Sequence, residues 1–192
     1  TLLTENVYAQ LCGTNSTARE RLDLYAYLLA GKTEFWRAHR QYAGIIHFVY
    51  LTCGYPGVYT ADHFADVTRL KLDPAFADYM SEAFKPLGVY VNFFQPTLKA
   101  GETRVFKVML VNDESIPLSG QITLELIRRG KSSVLVRAEQ PFQIKPAGTA
   151  SVAIALDMPD TEGECVLKAV AAADQKKDVS PTVCRRWVRL AR

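Results

Sequence analysis

Apolar residues alternate with polar ones from about Gly88 to the end of the chain, and short turns interrupt the alternation at regular intervals. The clearest case is the segment 121–127, in which Ile122, Leu124 and Leu126 fall on one side. Period-two alternation places successive side chains on opposite faces of a strand, so one face of each segment can be buried. This part of the chain is therefore predicted to fold as antiparallel β-strands.

The number and spacing of the alternating segments predict how the strands are arranged. Seven short strands separated by turn signals are typical of a β-sandwich of the immunoglobulin type, and about 100 residues is the usual size of one such domain. We therefore predict an immunoglobulin-like antiparallel β-sandwich over residues 87–192. The segments predicted to be strands are 89–94, 105–111, 121–127, a strand that begins at 134–136 and leads through Phe142 and Ile144 into a turn, 150–156, 165–170 and 183–190.

The first part of the chain shows helical spacing instead. Asn15-Ser16-Thr17 offers an N-cap, and Gly31 offers a C-terminal cap for the helix that follows. Further helices are predicted over Thr33–Gln41 and from Asp73-Pro74 to about Phe84, where the aspartate caps the helix and the proline occupies its first turn. The apolar face of the first helix consists of Leu22, Tyr25, Ala26 and Leu29.

One short run between these helices is almost continuously apolar. Ile45 to Leu51 is rich in β-branched and aromatic residues and is predicted to be a strand buried on both faces, as in a parallel sheet. Gly54-Tyr55-Pro56-Gly57 ends this strand, and a loop continues to about Lys71. The chain as a whole is thus predicted to be α+β. A mainly helical segment with one buried strand occupies residues 1–86, and the sandwich occupies residues 87–192.

The charge balance argues against nucleic acid as a partner. The chain has 23 Lys and Arg and 20 Asp and Glu, which gives a net charge of +3, and its basic residues are scattered rather than gathered in a patch. No apolar run approaches the roughly 20 residues that span a bilayer, so no membrane association is expected either. A C-terminal group of arginines is expected to form a solvated face or a contact with a neighbouring domain: Arg185, Arg186, Arg189 and Arg192.

Neither the cysteines nor the histidines have the spacing of a metal site, so no metal and no cofactor are predicted. Buried free thiols are the expected state of all the cysteines, although a bridge between the last two is open. The four cysteines are Cys12, Cys53, Cys165 and Cys184. The three histidines share no helical face: His39, His47 and His63.

Two stretches of the first part resemble the end of the barrel in one enzyme family. Residues 35–40 followed by 44–49 resemble the last helix-to-strand step in β-galactosidase-like enzymes of glycoside hydrolase family 2. Residues 72–87 resemble that family's final barrel helix, although Asp73 stands where the family often has lysine. The order helix, buried strand, loop, helix and sandwich is also the order in that family.

A third stretch resembles the part of the same family that follows the barrel. Leu110-Val111-Asn112-Asp113 and Pro117-Leu118-Ser119-Gly120 are similar to the residues that open its C-terminal sandwiches. The resemblance implies the end of a (β/α)8 barrel joined to an immunoglobulin-like sandwich, and it favours a periplasmic or secreted location. Because the chain starts at Thr1 and not at methionine, a piece of a longer protein is expected.

The resemblance implies a parent glycosidase whose catalytic residues lie outside this chain. Retaining glycosidases use two carboxylates about 5–5.5 Å apart, and in this family they follow the fourth and seventh barrel strands, upstream of Thr1. No catalytic residue is predicted here, and the chain alone is expected to be inactive. Its expected role is to support the upstream barrel. The expected partners are that barrel, the carbohydrate bound by the parent enzyme, and a second copy of the chain through the apolar surface of the first helices.

Residues that follow the predicted eighth barrel strand would face the sugar, because barrel active sites lie at the C-terminal ends of the strands. Related enzymes often place a tryptophan here to stack on the sugar ring, and this chain has tyrosines in the same segment. The alternative is that these tyrosines are packing residues that anchor the loop. The predicted substrate-binding residues are Tyr50, Tyr55, Tyr59, Asp62 and His63.

Two other functions are open from the sequence. The chain could be an independent module that binds carbohydrate or protein through exposed aromatic residues such as Tyr55 or Tyr90. Phe106 and Trp187, by contrast, lie within predicted strands and are expected in the core. The chain could also be a small hydrolase that uses His63, although no nucleophile-elbow pattern supports that chemistry.

Overall fold

The computed structural model describes residues 6–40, 44–46, 63–174 and 179–192. The helices in these ranges are α1 (Val7–Cys12), α2 (Ala18–Ala38) and α3 (Pro74–Ala83). A short hairpin of β1 (Phe64–Asp66) and β2 (Lys71–Leu72) precedes α3. The strands that follow α3 are β3 (Leu87–Val91), β4 (Thr97–Lys99), β5 (Thr103–Asn112), β6 (Leu118–Arg128), β7 (Val134–Ile144), β8 (Thr149–Asp157), β9 (Gly163–Ala173) and β10 (Thr182–Ala191).

Helix α2 is one continuous helix whose first turn is closed by a capping box. The Thr17 hydroxyl accepts a hydrogen bond from the Glu20 backbone N–H at 3.2 Å, and the Glu20 carboxylate accepts one from the Thr17 N–H at 2.8 Å. The predicted helix end at Gly31 is wrong, because α2 continues to Ala38. A side chain at Gly31 would place its Cβ 3.3 Å from the Phe94 ring, so the glycine here serves close packing and not termination.

Helix α3 begins and ends where the sequence predicts. The Asp73 carboxylate caps it by accepting hydrogen bonds from the N–H groups of Ala75 at 3.0 Å and Phe76 at 3.2 Å. Arg19, near the start of α2, pairs with the same carboxylate at 2.6 Å. This hydrogen bond, with the two backbone ones, lowers the pKa of Asp73. The cap of α3 is therefore also a link between the two helices.

Strands β3 to β10 form two sheets, so the fold is mixed α+β and mostly β. One sheet has the order β4-β10-β9-β6-β7 and the other has the order β3-β5-β8. The pair β4–β10 is parallel, and the other pairs in these two sheets are antiparallel. Strand β4 was not among the seven predicted segments, since its 3 residues are too few to show an alternation. Strand β7 begins at Val134, as predicted, and continues to Ile144, and it tolerates Pro141 because it lies at a sheet edge.

The two sheets face each other across one hydrophobic core. Ile122, Leu124 and Leu126 are buried there, as their alternation predicts. Phe106, also predicted in the core, packs against them from the other sheet with its neighbours on β5. The helices pack where β3 of one sheet meets β10 of the other, and this contact creates the interior polar site described below.

The predicted buried strand over Ile45–Leu51 lies largely outside the described residues. Residues 44–46 have no regular structure, and the rest of the segment is not described. Within the described ranges, no helix is both long enough and apolar enough to cross a bilayer.

Candidate functional site

Of the predicted substrate-binding residues, the structure describes His63. Its side chain is buried, and its ring stacks on Phe76 at 4.3 Å and faces Tyr25 at 5.8 Å, measured between ring centroids. Its carbonyl oxygen accepts a hydrogen bond from the Asp73 N–H at 2.7 Å. His63 thus lies against α2 and α3, and its contact with a sugar stays a prediction. The other predicted contacts lie outside the described residues: Tyr50, Tyr55, Tyr59 and Asp62.

A buried ion pair joins α2 to β10. The Arg186 guanidinium donates to the Glu34 carboxylate at 2.8 Å and to the Val91 carbonyl oxygen at 3.1 Å. The sulfur of Cys184 lies 3.2 Å from the same Glu34 oxygen. Arg186 is therefore buried against α2 and is not part of a solvated face.

Burial controls the electrostatics of this pair. The side chains of Glu34 and Arg186 are only 7% and 1% exposed. Burial raises the pKa of Glu34, and the positive charge of Arg186 opposes that effect. Burial also raises the pKa of the Cys184 thiol, which stays protonated at neutral pH. Perturbed pKa values often mark functional sites, but a pair that is enclosed by protein on all sides has no room for a substrate. We interpret it as structural.

A second polar contact, which we call the junction, fixes the end of α2 to the sandwich. Arg37 donates to the Lys85 carbonyl oxygen and to the Asp113 carboxylate, both at 2.6 Å. Arg40 pairs with the other oxygen of Asp113. Gly88 lies beneath Arg37, and a Cβ at that position would be 3.3 Å from the guanidinium nitrogens. The absence of a side chain at Gly88 thus lets the arginine pack closely against the strand.

Asn112 holds the chain that follows β5 in place at the junction. Its side-chain N–H donates to the carbonyl oxygens of Ile116 at 2.8 Å and Lys145 at 3.0 Å. Its side-chain oxygen accepts a hydrogen bond from the Glu114 N–H at 2.9 Å. Asn112 is buried, so these bonds satisfy polar atoms that would otherwise destabilise the fold. They also position the adjacent Asp113 toward the arginines.

An open groove of about 560 Å³ lies between the start of α2, α3 and the outer face of β10. Trp187 is half-buried here and stacks on Tyr27 with a centroid distance of 4.4 Å and an interplanar angle of 8°. The Arg129 guanidinium lies 4.1 Å from the Trp187 ring centroid. Both groups lie over the ring, so Tyr27 covers one face of the indole and Arg129 covers the other. The indole N–H donates to the Tyr79 hydroxyl at 3.2 Å. The groove therefore presents a guanidinium, not an open aromatic face.

Arginines and aspartates supply the charge of the groove. Arg185 donates to Asp78 at 3.0 Å, and Arg19 pairs with Asp23 at 2.7 Å. Arg129 makes no ion pair with any residue that the structure describes, although the charge of the Glu20 carboxylate interacts with it at longer range. Its guanidinium stacks on Trp187. The lining holds three arginines and two aspartates, and Asp73, which also pairs with Arg19, brings the formal charge balance to 3 − 3 = 0.

The sequence prediction that Trp187 belongs to the core is wrong. Cys184, Arg186 and Val188 occupy the buried positions of β10, and Trp187 occupies the alternate row that faces the helices and the groove. The pattern around Arg186 is misleading, because an arginine stands in the apolar row and a tryptophan stands in the other. Only the flanking Cys184 and Val188 carry a signal for the true register.

Comparison with known proteins gives structural likenesses alone. No family model and no curated protein matches this sequence. Among solved structures, the chain is similar to a cycloisomaltooligosaccharide glucanotransferase from Paenibacillus sp., with 18% identity and a TM-score of 0.40 over 52% of this chain and 13% of that chain. It is also similar to a family 123 glycoside hydrolase from Clostridium perfringens, with 10% identity and a TM-score of 0.38 over 56% of this chain and 27% of that chain.

The likeness is not confined to enzymes that act on carbohydrate. A sporulation control protein from Bacillus subtilis is similar with 12% identity and a TM-score of 0.43 over 55% of this chain and 49% of that chain. In each of these three cases the match spans less than half of the solved chain. All three TM-scores are low, so these likenesses assign no activity to this chain.

Proposed function

We propose that this chain is the non-catalytic C-terminal part of a β-galactosidase-like glycoside hydrolase, and that its sandwich supports an upstream (β/α)8 barrel. The proposal depends on one observation, which is that two stretches resembling the family lie next to each other in the fold. Residues 72–87 end, and residues 110–120 begin, on the neighbouring strands β3 and β5, where Leu87 pairs with Asn112 and Gly88 with Val111. Two stretches that are separate in sequence thus form one contact in space.

The contact between these stretches is the junction that fixes α2. The Asp113 N–H donates to the Pro86 carbonyl oxygen at 3.0 Å, while its carboxylate binds Arg37 and Arg40. A role in joining a barrel end to a sandwich accounts for the charged residues at the junction. Arg37 in the last turn of α2 and Arg40 just after the helix share one acidic acceptor on the sandwich, and Gly88 lets Arg37 pack closely.

In the same proposal the two sheets have immunoglobulin-like topology, and the chain divides into a helical part over 1–86 and a sandwich over 87–192. The strands β6, β9 and β10 lie side by side, as strands C, F and G do in immunoglobulin domains. Strands β3, β5 and β8 take the places of A, B and E. Both correspondences support this topology.

Exposed aromatic residues beside α2 offer a surface for the barrel. Phe35 and Phe94 are 37% and 54% exposed, and their ring centroids lie 6.0 and 6.2 Å from that of Tyr90. Large apolar side chains exposed together mark interaction sites. The barrel covers them in the complete protein. The preceding loop contributes to the sugar pocket through the predicted contacts Tyr50, Tyr55, Tyr59, Asp62 and His63.

The carboxylates at the contact between the helices and the sandwich favour support over catalysis. Glycoside hydrolysis needs a proton donor and a second carboxylate that both reach the sugar. Glu34 is enclosed beside Arg186, and the carboxylates of Asp73 and Asp113 are held by arginines. Groups held in this way stabilise the contact between helices and sandwich, and the proposal assigns hydrolysis to the barrel.

A turnover assay tests the proposal. The complete product of the gene is expected to release nitrophenol from at least one member of a panel of 4-nitrophenyl glycosides. Residues 1–192 alone, at the same molar concentration, are expected to release none above the buffer rate, since the catalytic pair lies upstream. Turnover by residues 1–192 alone would overturn the proposal. A complete gene that encodes no barrel with paired glutamates would overturn it as well.

A second candidate function is carbohydrate binding by the chain itself. The observation that favours it is the groove beside Trp187, which combines aromatic, guanidinium and carboxylate groups in one open space. Binding there is compatible with support of the barrel, because the groove and the exposed aromatic residues Phe35 and Phe94 involve different residues.

A further inference from the structure

We propose that the groove beside Trp187 binds the carboxylate of a uronic-acid residue, with Arg129 as the anion-binding side chain. The choice of a sugar as the carrier of the carboxylate rests on the proposed function. The choice of a carboxylate rests on the structure of the groove, in which the Arg129 guanidinium stacks on Trp187 and forms no ion pair with a described carboxylate, although the charge of Glu20 interacts with it at longer range.

The position of Arg129 is fixed by its backbone and by its side chain. It follows the last residue of β6, and its N–H donates to the Glu164 carbonyl oxygen at 3.0 Å. Gly130 has a φ of 73°, which suits glycine and lets the chain turn back toward β7. Stacking on Trp187 then orients the guanidinium over the groove. Ordering the arginine in advance lowers the entropy that a ligand must lose on binding.

A stacked guanidinium keeps its hydrogen-bonding edge available. Arginine presents N–H donors in a planar fork that matches a carboxylate with two parallel hydrogen bonds. The ring of Trp187 covers a face of this plane and does not compete for the donors. Arg185 and Arg19 differ in this respect, because Asp78 and Asp23 already accept from them. Arg129 is thus the group in the lining that selects a negative charge.

The other groups in the groove favour a ligand with one charge and several hydroxyls. Asp23 and Asp78 are 40% and 53% exposed, so their oxygens can accept hydrogen bonds from sugar hydroxyl groups. The same two carboxylates repel a polyanion or a highly acidic peptide. Arg129 is the arginine of the lining that forms no ion pair with a described carboxylate, so it offers a site for one carboxylate. Its volume of about 560 Å³ lies within the range of small-ligand sites.

The proposal is tested by titrating residues 1–192 with methyl β-glucuronide and methyl β-glucoside, which differ in the carboxylate. Calorimetry is expected to show at least about tenfold tighter binding of the glucuronide, since a charge-assisted pair contributes more than one factor of ten. Indole fluorescence is expected to change on binding. Arg129→Gln is expected to abolish the preference for the glucuronide by removing the charge while keeping a side chain of similar length.

Arg104→Gln is the matched control. Arg104 also lies over an aromatic ring, that of Phe93 at 5.0 Å, but it is on β5 of the other sheet. This variant is expected to bind the glucuronide as the parent chain does. Equal affinity for the two sugars, or no effect of Arg129→Gln, would overturn the proposal. Tighter binding of an oligoglutamate peptide than of the glucuronide would overturn it too, because that result identifies an acidic protein partner.

Failure of this proposal is separable from failure of the proposed function. The turnover assay of the complete gene product uses neutral aryl glycosides, which do not require Arg129. If those are hydrolysed while the glucuronide does not bind to residues 1–192, only the groove assignment is wrong.

Discussion

Arg186→Met is expected to lower the free energy of unfolding by about 3–5 kcal/mol, because it leaves the Glu34 carboxylate buried without its partner. The substitution also removes the donor to the Val91 carbonyl oxygen. Methionine has a similar length and fits the apolar row of β10, so a cavity does not account for the loss. Urea unfolding at neutral pH, followed by circular dichroism, measures the effect.

The double variant Glu34→Leu/Arg186→Met separates charge from packing. Without either charge, the desolvation penalty disappears, and the double variant is expected to be more stable than Arg186→Met by about 1–3 kcal/mol. Arg189→Met, on the same strand but 65% exposed and 4.0 Å from Glu164, is expected to change stability by no more than about 0.5 kcal/mol. If Arg186→Met lowers the free energy of unfolding no more than Arg189→Met does, the ion pair does not join α2 to the sandwich.

Gly120→Ala is expected to destabilise the sandwich by about 3 kcal/mol or more. A Cβ at this position would lie 2.0 Å from the Ala172 carbonyl oxygen and 2.8 Å from the Ala173 Cα. Both atoms belong to the backbone of β9, so no rotamer change relieves the overlap. The strands β6 and β9 lie inside the five-stranded sheet, and moving them apart breaks its hydrogen bonds.

Gly101→Ala is the matched control for this substitution. Gly101 has a φ of 74° but no atom within 4 Å of an added Cβ. Its replacement is expected to cost about 1 kcal/mol through backbone strain alone. The stability of both variants and of the parent chain is measured by thermal unfolding. A Gly120→Ala protein as stable as Gly101→Ala would show that β6 and β9 are not packed so closely at this point.

Elements defined by local chemistry could be predicted from the sequence. Asp73-Pro74 predicts the start of α3, because an aspartate cap followed by proline satisfies the first turn. Alternation predicts the core row Ile122, Leu124 and Leu126, since a strand offers its two faces in turn. The capping residue Thr17 likewise marks the start of α2. These features depend on neighbours within a few residues.

Elements decided by distant contacts could not be predicted. Gly31 has the usual character of a helix end, and only the approach of the Phe94 ring shows why it lies inside α2. Arg186 is buried because Glu34, 152 positions away, accepts from it. No local pattern connects those two residues. Strand β4 is too short to alternate and is defined by its parallel pairing with β10.

Less of the candidate site than of the fold could be predicted from the sequence. The groove combines residues from α2, α3, β10 and the turn after β6, so no single segment of the sequence predicts it. One part of the junction could be predicted, because residues 110–120 resemble a family stretch. What the resemblance did not provide was the physical role of Asp113, which follows from its contacts with Arg37 and Arg40.

The most direct test of the structural role is kcat/KM of the complete gene product carrying Asp113→Ala, measured per active site by titration with a covalent glycosidase inactivator. Asp160→Ala, which removes a carboxylate that is 74% exposed, serves as the control. We expect a lower melting temperature for Asp113→Ala, because Arg37 and Arg40 lose their shared acceptor, with kcat/KM within about twofold of the parent. A fall in kcat/KM of more than about tenfold at an unchanged melting temperature would contradict it, since Asp113 would then act on the reaction and not on the support of the barrel.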